Sequence, residues 1–381
     1  YESATTPSRK PLCAIELYNL GYKMSFSIED IFPSAKSGFQ NIGFIFGAGT
    51  SKKAGYPLMD ELTTSVFKEL NEEQFNLISN LVYNNLKITI NRNTVNPNIE
   101  EISDILESTI INISQESDKE KYILLRNLLR EKIINLFLSI NNPYINDHIL
   151  FFNALKRIFY GRDENIWIFT TNYDLLLESA ASYSGIFLSN GFIGSRIQYF
   201  NPQSILFKYG TLKGNVFSPL REPKIRLIKL HGSLNWWRES NGILAYESTA
   251  INNKADRIIV LPRKKKIVET LDSPYEQLFK ISSDIIGGEC KYLVSCGYSF
   301  NDQHVNETLL LPKLQQSRIT LVAFLKGENQ NLDQFKTFPS FSFGTESSSK
   351  KITLSETKEG TELWQFDKFV ELLAKTAGIK G

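Results

Sequence analysis

Residues 41–46, Asn-Ile-Gly-Phe-Ile-Phe, form an apolar run of strand length that passes without a gap into Gly47-Ala48-Gly49-Thr50-Ser51. A helical pattern opens a few residues later, near Met59. Strand, tight glycine turn and helix in that order commit a chain to an α/β architecture. The strand is apolar on both faces, so it needs neighbours on both sides and helices above and below. Later segments obey the same logic. Runs at 166–169, 225–230, 257–261, 292–296 and 319–324 are near-continuously apolar, as strands buried on both faces of a parallel sheet tend to be. The sequence therefore predicts a Rossmann-like, doubly wound parallel sheet.

Between the first strand and the second the pattern is almost purely helical. Ile102, Ile105, Leu106 and Ile110 share one face; Leu124, Leu125, Leu128 and Leu129 form a second stripe; Ile149, Phe152, Leu155 and Phe159 form a third. Asp147 reads as the N-cap of that last helix. With 381 residues, the chain holds about two domains at ~150 residues each, or one large domain with an insertion. The layout expected is an N-terminal arm at 1–34, accessory or foreign to the fold, and a main domain at 35–330. That domain carries a helical insertion at 61–160. A loop and helix at 331–381 pack back onto it. The stretch 198–215 reads as a surface hairpin or lid.

Composition excludes several classes. Apolar residues at 42% and charged residues at 22% are ordinary for a globular chain and rule out disorder. The formal net charge of +2 supplies no global field toward nucleic acid. Direct nucleic-acid binding is therefore not expected. Three cysteines, none in a Cys-x-x-Cys pair, make neither a disulfide framework nor a zinc site, and the expected compartment is the cytoplasm. No apolar run approaches the ~20 residues that span a bilayer, so no membrane association is expected.

In such a sheet, ligands bind beyond the carboxyl ends of the strands, so polar motifs just after strands carry the chemistry. Gly47, Ala48, Gly49, Thr50 and Ser51 follow the first strand; Thr170-Thr171-Asn172-Tyr173-Asp174 the second; His231-Gly232-Ser233 the third. Cys296-Gly297-Tyr298-Ser299-Phe300-Asn301-Asp302 follows a later one. Glycines at 47 and 49 let backbone approach a diphosphate. The series is not the dinucleotide fingerprint, since Lys52 stands where its third glycine belongs, and hydride transfer is disfavoured. His231 is one of three histidines and can take up a proton near neutrality. Asn172 and Asp174 add an amide and a carboxylate. Trp236 and Trp237 either wall a nucleotide pocket or simply pack. Arg263-Lys264-Lys265-Lys266 is a solvated loop or a phosphate contact, and His304 lies just past the last motif without a catalytic role.

Taken together, Gly47–Ser51 with Gly55-Tyr-Pro57, the Thr-Thr-Asn-Tyr-Asp motif, His231-Gly232 and Gly297-Tyr-Ser299 resemble the ordered motifs of sirtuins. The match looks closest to the zinc-less, sirtuin-like branch of bacterial anti-phage defence proteins that hydrolyse NAD. That resemblance implies NAD as substrate and no metal. It makes His231, Asn172 and Asp174 catalytic, and it assigns NAD contacts to Gly47, Ala48, Gly49, Thr50, Ser51, Gly55, Pro57, Thr171, Gly297, Ser299 and Asp302. It further implies a homo-oligomer acting with a separately encoded sensor or ATPase subunit of HerA type in abortive infection. Two departures from protein deacylases stand out. The paired zinc cysteines are missing, and Leu58-Met59-Asp60 replaces their Asp-Phe-Arg. A non-catalytic NAD or ADP-ribose sensor is the alternative, and a deacylase a more distant one.

Overall fold

The computed structural model describes residues 42–240, 242–246, 256–259, 273–345, 349–350 and 362–379. The arm at 1–34 and the basic run at 263–266 lie outside the described residues. The chain enters through β1 (Ile42–Phe46) and a single 3-10 turn at Ala48–Ser51. Five helices follow: α1 (Met59–Glu69), α2 (Glu72–Leu86), α3 (Ile99–Asn112), α4 (Glu116–Leu138) and α5 (Asn146–Ile158). Next come β2 (Asn165–Thr170), α6 (Leu176–Tyr183), β3 (Phe187–Ser189), β4 (Phe192–Gly194), β5 (Ile197–Phe200), β6 (Gly210–Lys213) and β7 (Val216–Pro219). The chain continues through β8 (Lys224–Lys229), β9 (Gly232–Glu239), β10 (Gly242–Tyr246), β11 (Asp256–Ile259) and α7 (Tyr275–Ile285). It closes with β12 (Tyr292–Cys296), β13 (Thr320–Phe324), β14 (Phe341–Gly344), β15 (Ser349–Lys350) and α8 (Phe366–Thr376).

The main sheet runs β15-β14-β13-β12-β1-β2-β8-β3. Every pairing is parallel except the edge pair β14–β15. The predicted doubly wound parallel sheet is present. On one side of β1 stand β2, β8 and β3, the chain laying β3 at the edge before β8 fills the place between, and it then crosses to the other side of β1 with β12. The strand order therefore reverses between β1 and β12, which is where such sheets open a ligand crevice.

Alternation along the strands decides which core each residue enters. Ile45, Trp167, Phe169, Ile228, Leu293 and Leu321 pack on one face with α7. Phe44, Phe46, Ile168, Leu227, Val294 and Val322 pack on the other with α5 and α8. There, Phe44 meets Phe151 edge-on at 5.1 Å between ring centres, and Phe46 meets Phe366 at 5.5 Å. Helices α1–α4 bury a core of their own, from Leu62, Val66 and Phe67 to Leu129 and Ile133. The helices after β1 thus divide: four make a separate module, while α5 belongs to the sheet's flank.

Several local expectations are corrected. The stripe on α4 is Leu125, Leu129 and Ile133, whereas Leu124 is 63% exposed; the longer helix sets the register, which a four-residue stripe underdetermines. Asp147 sits inside the first turn of α5, which Ile145 caps, and pairs with Lys53 at 3.1 Å. The described part of the run at 257–261 does not join the parallel sheet. It belongs to β11, which pairs antiparallel with β9 in a second sheet of order β11-β9-β10-β5-β4. The stretch 198–215 splits between β5 in that sheet and the exposed β6–β7 hairpin. Ser349–Lys350, expected as loop, adds a short antiparallel edge strand. Among the described residues, no helix is long and apolar enough to cross a membrane.

Candidate active site

Five adjacent strands of the main sheet end beside one another, and each delivers polar groups to one cleft. β1 leads into the glycine turn, β2 into Thr171–Asp174, β8 into His231, β12 into Gly297–Asp302 and β13 into Lys326. The cleft has a volume of about 470 Å³, within the range of small-molecule sites. A larger, more open depression of about 640 Å³ around Asn153, Lys156, Arg157, Tyr160 and Ile379 carries none of these groups.

Close backbone packing builds the floor. Gly49 N–H donates to Gly297 O at 3.0 Å. A Cβ on Gly49 would stand 2.6 Å from Gly297 Cα, and one on Gly297 would stand 2.5 Å from Thr50 N. Gly297 also has φ +66, a left-handed conformation that glycine adopts without strain. These glycines are therefore required first by each other.

Asn172 and Asp174 lock the turn to the loop after β2. The Asn172 amide donates to Gly47 O at 3.1 Å, Thr50 Oγ1 at 3.1 Å and Ser51 Oγ at 2.9 Å. Ser51 Oγ donates to Asp174 Oδ2 at 2.7 Å, and Leu176 N–H donates to Asp174 Oδ1 at 3.1 Å. Beneath this loop lies Lys229, only 1% exposed. Its ammonium donates to the carbonyls of Tyr173 and Asp174, to Ser233 Oγ at 2.9 Å and to Glu178 Oε1 at 2.9 Å.

His231 occupies the corner between the two sheets. β8 ends at Lys229 and β9 begins at Gly232, whose φ of +85 turns the chain sharply. The imidazole is buried, and its Nε2 lies 2.7 Å from Asp302 Oδ2. Tyr173 packs beside it at 6.4 Å between ring centres. Burial lifts the phenols of Tyr56 and Tyr298 above their ordinary range, with Asp174 and Glu178 adding to it for Tyr56 and Asp302 and Glu100 for Tyr298. Neither is an anion at neutral pH.

Of the residues singled out in the sequence, Gly47, Ala48, Gly49, Ser51, Pro57, Thr171, Asn172, Asp174, His231, Gly297, Ser299 and Asp302 line the cleft. Thr50 and Gly55 do not. The Thr50 hydroxyl is turned back onto Gly47 O at 3.0 Å, and Gly55 shapes the chain with φ +102. Trp236 and Trp237 are buried away from the cleft, and His304 packs on Phe279 at 4.5 Å.

Sequence reasoning missed the groups that the tertiary fold brings in. Asn98, Glu100 and Phe137 reach the cleft from the helical module, and Lys326, Asn329 and Trp364 also line it. Asn98 left a local trace, since Asn98 with Glu101 forms a reciprocal cap at the start of α3. Lys229 left another: a lysine inside an apolar strand run. The buried thiols of Cys290 and Cys296 lie outside the cleft, and burial pushes both well above the usual thiol range. Among the described residues, no group of three His, Cys, Asp or Glu is placed to hold a metal ion.

A parallel α/β sheet whose strand ends present a glycine turn, an Asn/Asp loop and a buried histidine has its polar crevice where sheets of this class hold ligands. Residues 167–335 match the model of the SIR2-like domain family. The match spans less than half of the chain and starts inside β2, so β1 and the glycine turn precede it. It supports a sirtuin-like superfamily member with an NAD-related function. No curated protein matches the chain.

Proposed function

We propose that this protein is an NAD glycohydrolase that splits NAD into nicotinamide and ADP-ribose. The observation that supports this most directly is the convergence of the glycine turn, Asn172, Asp174 and His231 on one cleft at the sheet's switch point. In the reaction, the bond from ribose C1′ to the pyridinium nitrogen breaks, and its electron pair leaves with neutral nicotinamide. Water supplies the oxygen that bonds to C1′, and one water proton must be removed. No general acid is needed for this leaving group.

Cationic character on the ribose is the barrier. The buried carboxylate of Asp174 opposes that charge from a fixed position, held by Ser51 and Leu176 N–H. Asn172 orients the ribose or the attacking water. His231 accepts the water proton, a role that contributes typically ~10²–10⁴-fold. The exposed Ala48 and Ser299 border the space for the diphosphate and the adenosine-side ribose. In this reading the protein is the effector of an anti-phage abortive-infection system, a homo-oligomer controlled by a separately encoded sensor or ATPase subunit.

Incubating purified protein with NAD, alone and with the products of neighbouring genes, and resolving the products by chromatography tests the reading. Equal amounts of nicotinamide and ADP-ribose are expected. Tight NAD binding without nicotinamide release in either condition identifies a sensor instead. Nicotinamide release that depends on an acetyl-lysine peptide identifies a deacylase.

A further inference from the structure

We propose that Asp302 is a positioning residue for His231: it holds the ring proton on Nε2 and so makes Nδ1 the atom that accepts the proton during the reaction. The proposal rests on His231 being the base of the hydrolytic reading above. The resemblance implies an NAD contact for Asp302, but the structure shows it against the histidine.

The two groups are 2.7 Å apart, and both are buried, His231 at 4% and Asp302 at 6% exposure. A carboxylate oxygen can only accept, so an N···O contact this short calls for the ring proton, not a lone pair, on Nε2. A neutral imidazole has one donor and one acceptor nitrogen, which leaves Nδ1 as the acceptor. When Nδ1 takes a proton, the imidazolium forms directly against a carboxylate that is already in place, and no group has to reorganise.

Asp302 is itself held from the other side. Its Oδ1 accepts Val305 N–H at 3.1 Å, capping the helical turn Gln303–Val305, and Asn306 N–H donates to its carbonyl at 3.0 Å. Each carboxylate oxygen thus has a stated partner, one structural and one on the ring. A second anion facing the NAD diphosphate would weaken binding by like-charge repulsion, and this also argues for a role toward the histidine. The pairing ties the β12 loop to the end of β8, across the switch point.

The geometry makes Asp302→Asn an informative variant. Asparagine is as good an N-cap as aspartate, so its carbonyl oxygen keeps Val305 N–H. Its NH₂ then takes the place of Oδ2 and donates toward the ring. Two donors cannot face each other, so the His231 proton must move to Nδ1, which removes the accepting lone pair.

The chain has three histidines, so ¹⁵N-histidine labelling gives three rings, and the His231→Gln variant identifies the one that disappears. The parent should show His231 protonated on Nε2, and Asp302→Asn should show it protonated on Nδ1. Nicotinamide release by that variant should fall on the order of 10²–10⁴-fold in kcat. KM should change little and the melting temperature by no more than a few degrees. A parent ring protonated on Nδ1 overturns the proposal, as does an Asn variant that keeps its kcat. An effect confined to KM assigns Asp302 to the ligand instead. If the parent releases no nicotinamide, the hydrolytic reading fails on its own, and the tautomer of the His231 ring still decides whether the pair is built as stated.

Discussion

The Ser51 hydroxyl donates to the Asp174 carboxylate over 2.7 Å, so the turn after β1 and the loop after β2 are bonded directly to each other. Ser51 also accepts from Asn172 at 2.9 Å. One small side chain therefore aligns both residues to which the proposed reaction assigns the ribose. Ser51→Ala should lower stability by roughly 1.5–3 kcal/mol, the usual worth of a hydrogen bond to a charged group. It should also lower kcat for nicotinamide release more than tenfold while NAD still binds. Denaturant unfolding and calorimetric titration on the same preparation measure both. An unchanged kcat would show that Asp174 needs no alignment from the turn.

Ala48 and Gly49 are neighbours with different constraints, and they separate ligand contact from packing. Ala48 is exposed and lines the cleft, whereas Gly49 has no room for a Cβ beside Gly297. Ala48→Asp places an anion where the diphosphate is expected. It should raise KM for NAD by at least about tenfold through like-charge repulsion, with little change in melting temperature. Gly49→Ala should lower the melting temperature even without NAD, since backbone cannot shift cheaply in a packed interior. An Ala48→Asp enzyme with parental KM would move the diphosphate elsewhere.

The sheet and the strand-end motifs were legible because they are local. Apolar runs such as 292–296 coincide with a strand, and the polar residues follow at once. What could not be read is what the chain brings from a distance. Glu100 and Phe137 enter the cleft from helices whose sequence encodes only their own packing. The outer strands β3, β14 and β15 are short, with three, four and two residues, too few to show a period. The partnership of His231 with Asp302 spans 71 positions of chain and depends on β12 returning beside β1. No spacing rule encodes that return.

Lys229 shows how such long-range support works. Its ammonium, buried under the loop, holds two backbone carbonyls and Glu178. Lys229→Met should cost roughly 3–5 kcal/mol, because it leaves a partly buried carboxylate without its partner. Lys229→Met combined with Glu178→Gln should recover part of that stability. Activity should stay low in both, since neither restores the donor to the Tyr173 and Asp174 carbonyls. Chemical denaturation and nicotinamide release follow the two effects separately. Recovery of activity in the double variant would show that the ion pair, and not the carbonyl contacts, is what the site requires.

His148 gives the protein a defined acid sensitivity. Its ring packs on Phe366 at 4.7 Å between ring centres, and Nδ1 is buried without a hydrogen-bond partner. Burial pushes its pKa down to about 4, and the charge of Asp174 only partly offsets this. In the unfolded chain the ring takes up its proton below about pH 6.5, while the folded ring stays neutral to about pH 4. The unfolded state therefore binds more protons across that window. Stability from this group is complete above about pH 6.5, falls as the pH drops, and levels off once the folded ring also titrates. The full loss is about 3 kcal/mol. His148→Leu keeps the apolar contact with Phe366 and removes the titration, so it should flatten this part of the acid limb. Denaturant unfolding at pH 7.5 and pH 5 checks it: the parent should lose more stability between the two than the variant. Equal losses would mean that the ring is already hydrated or paired in the folded protein.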